Sequence, residues 1–269
     1  MSEENKVFTG SIPENYDRYM VPLIFGTYAA DLALRAASFS PRSVLEVAAG
    51  TGAVTRELAP RLSSDANYVV TDLSQAMLDY AMSRQPTDGR IQWMQADAMA
   101  LPCRDAAFDL VCCQFGVMFF PDRTAGYREA KRVLKPGGRF LFNVWDRVEE
   151  NVFANDVLDA LSQIFPDNPP RFITQIPHGY FDTALIQREL ESAGFSSVAI
   201  EKKTEESRAP SPLIAALAYS QGTPLRNEIE ARGANLADVT DRISAHLAQK
   251  HGNAQISAKI QAFVVSAVA

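Results

Sequence analysis

Val44-Leu45-Glu46-Val47-Ala48-Ala49-Gly50-Thr51-Gly52-Ala53-Val54-Thr55 is the stretch on which the fold turns. An apolar run too short for a helix ends in a loop of small residues with two glycines, and an amphipathic segment follows at once. Glycine reaches backbone conformations closed to other residues and lets the chain approach a ligand closely, so the stretch reads as strand, tight turn and helix N-terminus. In an open α/β sheet such a loop lies at the carboxyl ends of the strands, where ligands bind. That position favours a nucleotide-like cofactor.

Outward from this stretch the rhythm repeats. SVLEV (43–47), NYVVTD (67–72), IQWMQAD (91–97), FDLVCCQF (108–115) and RFLFNVWD (139–146) read as strands, while TRELAPRL, SQAMLDYAMSR and TAGYREAKRVL carry apolar residues at helical spacing. The alternation predicts an α/β fold, a parallel sheet with helices on both faces. Ser74 is placed to cap a helix ahead of Met77 and Leu78, and Lys135-Pro136-Gly137-Gly138 predicts a helix stop with a strand from 139. Beyond the repeat, Phe153, Val157, Leu158, Leu161 and Phe165 predict a helix ended by PDNPP (166–170). TALIQRELESAGF and SSVAIEKKTEE resume the β/α order, residues 211–250 are helical in pattern with Leu236, Val239, Ile243 and Leu247 on one face, and KIQAFVVSAV reads as a last strand.

The chain has 269 residues, 47% of them hydrophobic, with 26 basic and 32 acidic side chains and a net charge of −6. A chain this long buries a core without disulfides or metals, which removes the small stapled and fibrous classes. The acidic balance argues against gripping a phosphate backbone, so no nucleic-acid partner is expected. No run approaches the roughly 20 apolar residues of a membrane span, and the N-terminus lacks the apolar core of a secretory signal, so no span and a cytoplasmic address are expected. Cys103, Cys112 and Cys113 show no CxxC spacing and no His cluster, and no metal site is expected. Cys112 and Cys113 read as small buried hydrophobes.

Three acids mark successive strand ends. Glu46 closes an apolar strand, where a carboxylate is costly without a partner such as a ligand ammonium. Asp72 ends the second strand twenty residues after Gly52, the place from which a carboxylate accepts from both hydroxyls of a ribose. Asp97 ends the third and suits the exocyclic amine of adenine. Either aspartate could instead cap the helix that follows it; the glycine loop beside all three favours a ligand.

LEVAAGTG, VVTDLSQAML, QADAMALP, FDLVCCQFGVMFFPD and RVLKPGGRFLFNVWD, in this order, resemble the class I S-adenosylmethionine-dependent methyltransferases, particularly the small-molecule group of ubiquinone and menaquinone biosynthesis. The resemblance covers residues 40–146. It implies a Rossmann-like, doubly wound, mostly parallel seven-stranded sheet with a helical lid or cap, all in one domain over 1–269. Within it, 1–30 would be an N-terminal lid, 40–146 the cofactor-binding core, and 147–181 with 211–250 insertions for the acceptor. S-adenosylmethionine is the implied cofactor and S-adenosylhomocysteine its product. Glu46 would contact the methionine moiety, with the backbone of Ala48, Gly50 and Gly52 beneath the cofactor. Asp72 would bind the ribose, Leu73 and Met77 would lie against the adenine, and Asp97 with Ala98 would meet its amine. Gln114 and Phe115 would sit near the methionine end, and Tyr16 and Tyr19 would close over the cofactor. The family's loop usually has glycine where this chain has Ala48.

Bland readings stand beside these: Met77 and Phe115 fall at spacings equally suited to core residues, and Tyr16 and Tyr19 could simply pack on the sheet. The expected reaction is methyl transfer to a small, apolar or aromatic acceptor. For a hydroxyl acceptor His178, in IPHGYFD, is the best placed of three histidines to take the proton. Two other readings are a nicotinamide-dependent oxidoreductase and a non-catalytic cofactor-binding module. The first fits less well, because the third glycine of its fingerprint would fall at Thr55 and Glu46 has no place in it.

Overall fold

Seven strands, β1 (Ser43–Glu46), β2 (Asn67–Asp72), β3 (Ile91–Gln95), β4 (Phe108–Gln114), β5 (Leu134–Trp145), β6 (Ser196–Ala209) and β7 (Ile256–Val268), form one sheet in the order β3-β2-β1-β4-β5-β7-β6. This computed structural model describes residues 10–269, so residues 1–9 of the expected N-terminal lid lie outside the described chain. Neighbours from β3 through β5 are parallel. β7 turns back against β5, with Gly137 N donating to Ala269 O and Ala269 N to Gly138 O. The sheet is mostly parallel, as its apolar β/α rhythm predicts, and its order reverses between β1 and β4, which opens a crevice at their carboxyl ends.

The described chain divides into two compact units. One comprises the chain up to Thr27, Trp145–Gly179 and Thr204–Gln261; the other comprises Tyr28–Val144, Tyr180–Lys203 and Ala262–Ala269. In the second, Val44, Leu110, Cys112 and Leu141 on one face of the sheet pack with Leu32, Ala33 and Ala36 and with Leu58. The opposite face carries rings: Phe140 and Phe142 lie 4.8 Å apart and both meet Tyr127 of the helix Arg123–Val133. Each such side chain, fully withdrawn from water, contributes about 1.5–3 kcal/mol. In the first unit, Phe153, Val157 and Leu161 of the helix Val152–Ile164 are buried, as are Val239, Ile243 and Leu247 of Leu236–His251. Asp156, nearly buried there, pairs with Lys250 Nζ and His251 Nε2, each at 2.6 Å.

Three segments show more than their sequence pattern tells, and the first also departs from it. β5 begins at Leu134 rather than 139, because Leu134 already pairs with Phe108; the register shifts between Phe108 and Leu110, opposite Gly137 at φ 79°, so the helix stop is also a bulged strand start. Residues 211–250 form three helices, two of them begun by caps: Ser211 accepts from Ile214 N, and Asn235 from Ala237 N and Asp238 N. Ile12–Ser38 is one helix of 27 residues whose most apolar window reaches a mean hydropathy of 1.2, long and apolar enough by composition to cross a bilayer, yet half of that window is buried inside the fold, as in a core helix. Its stretch Tyr16–Phe25 is π-helical and contains Pro22, which has no N–H to give to a helix ladder.

Two loops shape the crevice. Ala48, after β1, and Phe115, after β4, both hold left-handed backbone, at φ 54° and 51°. Between them Gly116 is essential: a Cβ there would lie 2.5 Å from the Ala48 methyl and 2.6 Å from Cys113 Sγ. Ala48 therefore keeps its methyl because its neighbour has none. Cys112 and Cys113 are fully buried, as small hydrophobes should be, and burial pushes the Cys113 thiol up to about 12.

Gly116→Ala should destabilise by about 1–3 kcal/mol, the usual scale of overpacking. Ala48→Gly alone should stay within about 1 kcal/mol, since relief of left-handed strain opposes glycine's extra chain entropy. The double mutant should recover part of the loss, with a coupling above about 0.5 kcal/mol in urea unfolding. Strictly additive effects would mean that the two loops do not bear on each other.

Candidate active site

β1 delivers Glu46 to the crevice inside an apolar sheet, where it is 1% exposed. Its Oε2 accepts from Thr55 Oγ1 at 2.7 Å and from the Tyr68 hydroxyl. Burial nevertheless dominates and raises the carboxyl to about 7, against the pull of those two bonds. Tyr68 sits on β2 opposite Val44, and Thr55 lies in the first turn of the helix Ala53–Leu58. The sequence reading passed over both as partners of Glu46. The signal was present in the alternation of β2, which sends Tyr68 to the face Glu46 occupies.

The loop after β1 is held by backbone bonds from Val47 N to Cys112 O, Ala49 N to Thr71 O and Gly52 N to Ala49 O, at 2.8–3.0 Å. Asp72 closes it. One carboxylate oxygen accepts from Gly50 N and the other from Ser74 N, each at 2.8 Å. Burial raises the Asp72 pKa, and these backbone bonds oppose the rise. Leu73 adds a third backbone bond to this carboxylate, whose two oxygens offer about four acceptor positions in all. A Cβ on Gly50 would meet nothing within 4 Å, whereas one on Gly52 would press on the Ala81 methyl at 3.2 Å. Gly50 is thus the residue whose bareness opens the loop, and Gly52 serves the packing of helix Gln75–Arg84. Thr51, in the same loop, is buried with its Oγ1 unpartnered among the described residues.

The remaining expected positions follow the rim. Leu73 is partly buried at the end of β2, and its carbonyl accepts from Gln95 Nε2. Met77 is buried in the first turn of the helix that Ser74 caps, as the sequence predicts. Ala96 N donates to Asp72 O, which brings Asp97 and Ala98 alongside; Asp97 Oδ1 accepts from Met99 N at 2.8 Å, the turn-capping role. Gln114 ends β4. Phe115 is buried with its ring edge-on to Tyr28, centroids 5.4 Å apart. These positions, from Glu46 to Phe115, share one unit of the fold.

Tyr16, Tyr19 and His178 belong to the other unit. There Tyr16 stacks on Phe25 at 5.0 Å, Phe25 meets Trp145 at 5.8 Å and Trp145 meets the His178 ring at 6.1 Å, a continuous row of rings, while Arg18 lies over Tyr19. His178 Nδ1 lies 2.8 Å from Asp146 O. A carbonyl only accepts, so Nδ1 carries the hydrogen and Nε2 the lone pair. Burial lowers this imidazole to about 4, so it is neutral at pH 7.

Residues 45–142 match the methyltransferase domain family. A demethylmenaquinone methyltransferase of Mycolicibacterium gilvum is 33% identical over 164 residues, 58% of this chain and 68% of that protein. A ubiquinone/menaquinone biosynthesis C-methyltransferase of Bartonella quintana is 29% identical over 211 residues, 72% of this chain and 81% of the relative. Among solved structures, phosphoethanolamine N-methyltransferase 2 of Haemonchus contortus in complex with S-adenosyl-L-methionine aligns with a TM-score of 0.58 at 18% identity, covering 95% of this chain and 56% of that one, a likeness of fold. With the glycine loop, the bidentate Asp72 and the sheet order, these relatives make the chain a member of the class I S-adenosylmethionine-dependent methyltransferases, in the small-molecule group of ubiquinone and menaquinone biosynthesis.

Proposed function

We propose that the acceptor is a hydroxylated aromatic ring of the quinone-precursor kind, methylated on carbon in the cytosol, and that the residues around the loop after β1 hold the cofactor. The observation that carries the cofactor half is Asp72: a carboxylate at the end of β2, beside the glycine loop, with one oxygen held by Gly50 N and the other by Ser74 N. Leu73 and Met77 flank the adenine, Asp97 and Ala98 meet its amine, and Gln114 and Phe115 border the methionine end. The names of the relatives and the row Tyr16, Phe25, Trp145, His178 support a flat aromatic acceptor. Residues 1–30, 147–181 and 211–250 select that acceptor, with Tyr16 and Tyr19 covering the cofactor.

When bound, the cofactor supplies an electrophilic methyl group on a sulfonium, so the chain's task is to orient the nucleophile and exclude water. Glu46 in its anionic form pairs with the ammonium of the methionine end. His178 Nε2 would take the hydroxyl proton; the electron-rich ring carbon would then accept the methyl as the methyl–sulfur bond breaks, and would shed its own proton so that the ring regains aromaticity, with the thioether as leaving group.

Binding and turnover test this directly. Calorimetry should show S-adenosylhomocysteine binding and no NADH binding, and labelled methyl should pass to reduced demethylmenaquinone; binding without that transfer would reject the acceptor alone. His178→Asn, which keeps a donor for Asp146 O and removes Nε2, should lower kcat by about 10²-fold or more with cofactor affinity unchanged. Asp72→Ala should weaken S-adenosylhomocysteine binding at least tenfold, about 1.4 kcal/mol. Unchanged affinity in a folded variant would remove the ribose role.

The proton on Glu46 gives a pH signature. Its folded-state pKa, about 7, is raised from 4.5, so the folded chain holds this proton more tightly than the unfolded one and the carboxyl's contribution to stability declines as pH rises between those values. The anion is the form that pairs with an ammonium. Affinity for S-adenosylhomocysteine should therefore climb from pH 5 to about 7 and level off above it. Glu46→Gln should bind more weakly and flatten the profile; an unchanged profile would mean that Glu46 does not meet the ammonium.

A further inference from the structure

Asn143 sits at the carboxyl end of β5, directly opposite Gln114 of β4, and its carbonyl accepts from Phe115 N at 3.2 Å. Alternation along β5 puts its side chain on the face of Leu141, which packs with Val44, Leu110 and Cys112. Glu46 pairs in register with Cys112 and Cys112 with Leu141, so Glu46, Cys112 and Leu141 form one row across that face, and Gln114 with Asn143 forms the next row toward the crevice. The Asn143 side chain is fully buried, and neither Oδ1 nor Nδ2 has a hydrogen-bond partner among the described residues. Leucine has the same branching and heavy-atom count and would suit the apolar surroundings without that penalty. A buried amide left unsatisfied at the crevice end of an apolar sheet face points to function.

We propose that Asn143 reads the amino-acid end of the cofactor. An amide offers one acceptor and one donor pair side by side. An α-amino acid offers their complements: an ammonium that donates to Oδ1 and a carboxylate that accepts from Nδ2. Adenine also sets an N–H donor beside a ring acceptor, but the positions expected to hold it end β2 and β3, across β1 and β4 from Asn143. Glu46, one row behind on the same face, supplies the charge that an ammonium selects, and Asn143 adds the group that also recognises the carboxylate. The inference rests on the cofactor reading above, and it adds a specificity residue from β5, a strand that none of the expected cofactor contacts occupies.

The test compares S-adenosylhomocysteine with 5′-methylthioadenosine, which keeps the nucleoside and lacks the amino-acid end. Competition calorimetry on the full chain should show that Asn143→Leu weakens S-adenosylhomocysteine at least tenfold and leaves methylthioadenosine within twofold, while the free variant melts no lower than the parent. Asn143→Ala should show the same selective loss if the leucine variant does not fold. Equal losses for both ligands would mean a general distortion of the crevice, and no loss for either would mean that the amide is served without the cofactor; both overturn the proposal. Failure of the parent protein to bind S-adenosylhomocysteine would instead overturn the cofactor reading itself.

Discussion

Asp72 ties together three pieces of chain at the point where the backbone ladders of β1, β2 and β3 run out. Its carboxylate takes the Gly50 N–H from the loop after β1 and the Ser74 N–H from the turn into the next helix, and its own carbonyl receives Ala96 N from the end of β3. Charge-assisted bonds to backbone donors are stronger than neutral ones, and a buried carboxylate without them would be expensive. Position of the glycine loop, start of the following helix and placement of Asp97 all involve this one residue, the first two through its side chain and the third through its carbonyl.

The crevice is also set by crowding. Left-handed backbone at Ala48 and Phe115 and the absence of a side chain at Gly116 let the loops after β1 and β4 approach to the limit of contact. Strain at functional loops persists only where surrounding structure overdetermines it. Here the surroundings are the buried strands β1 and β4, whose apolar side chains leave the loops no freedom to separate.

β2 runs over the residues its alternation marks, and the helix after it begins where Ser74 says it should, because local periodicity and capping suffice to specify both. Glu46 and Asp72 were legible because each stands at a strand end, and the two glycines because they lie in the loop between a strand and a helix. Other features depend on partners distant in sequence. Leu134 is a strand residue because Phe108 lies beside it, the π-helical turn at Tyr16–Phe25 leaves no periodic signature beyond Pro22, and the first unit is assembled from three separated stretches. The different duties of Gly50 and Gly52 became visible only when Ala81 was found against the latter.

The buried thiol of Cys113 lies close beneath Gly116, on the floor of the same loop pair. Thiolate, not thiol, is the nucleophile, and with its pKa pushed up to about 12 this sulfur stays protonated in neutral solution. An enzyme that handles an alkylating sulfonium must keep its own soft nucleophiles from consuming it. Burial of Cys113 in the hydrocarbon of the sheet gives that immunity from self-alkylation, so the apolar core that builds the crevice also chemically silences it.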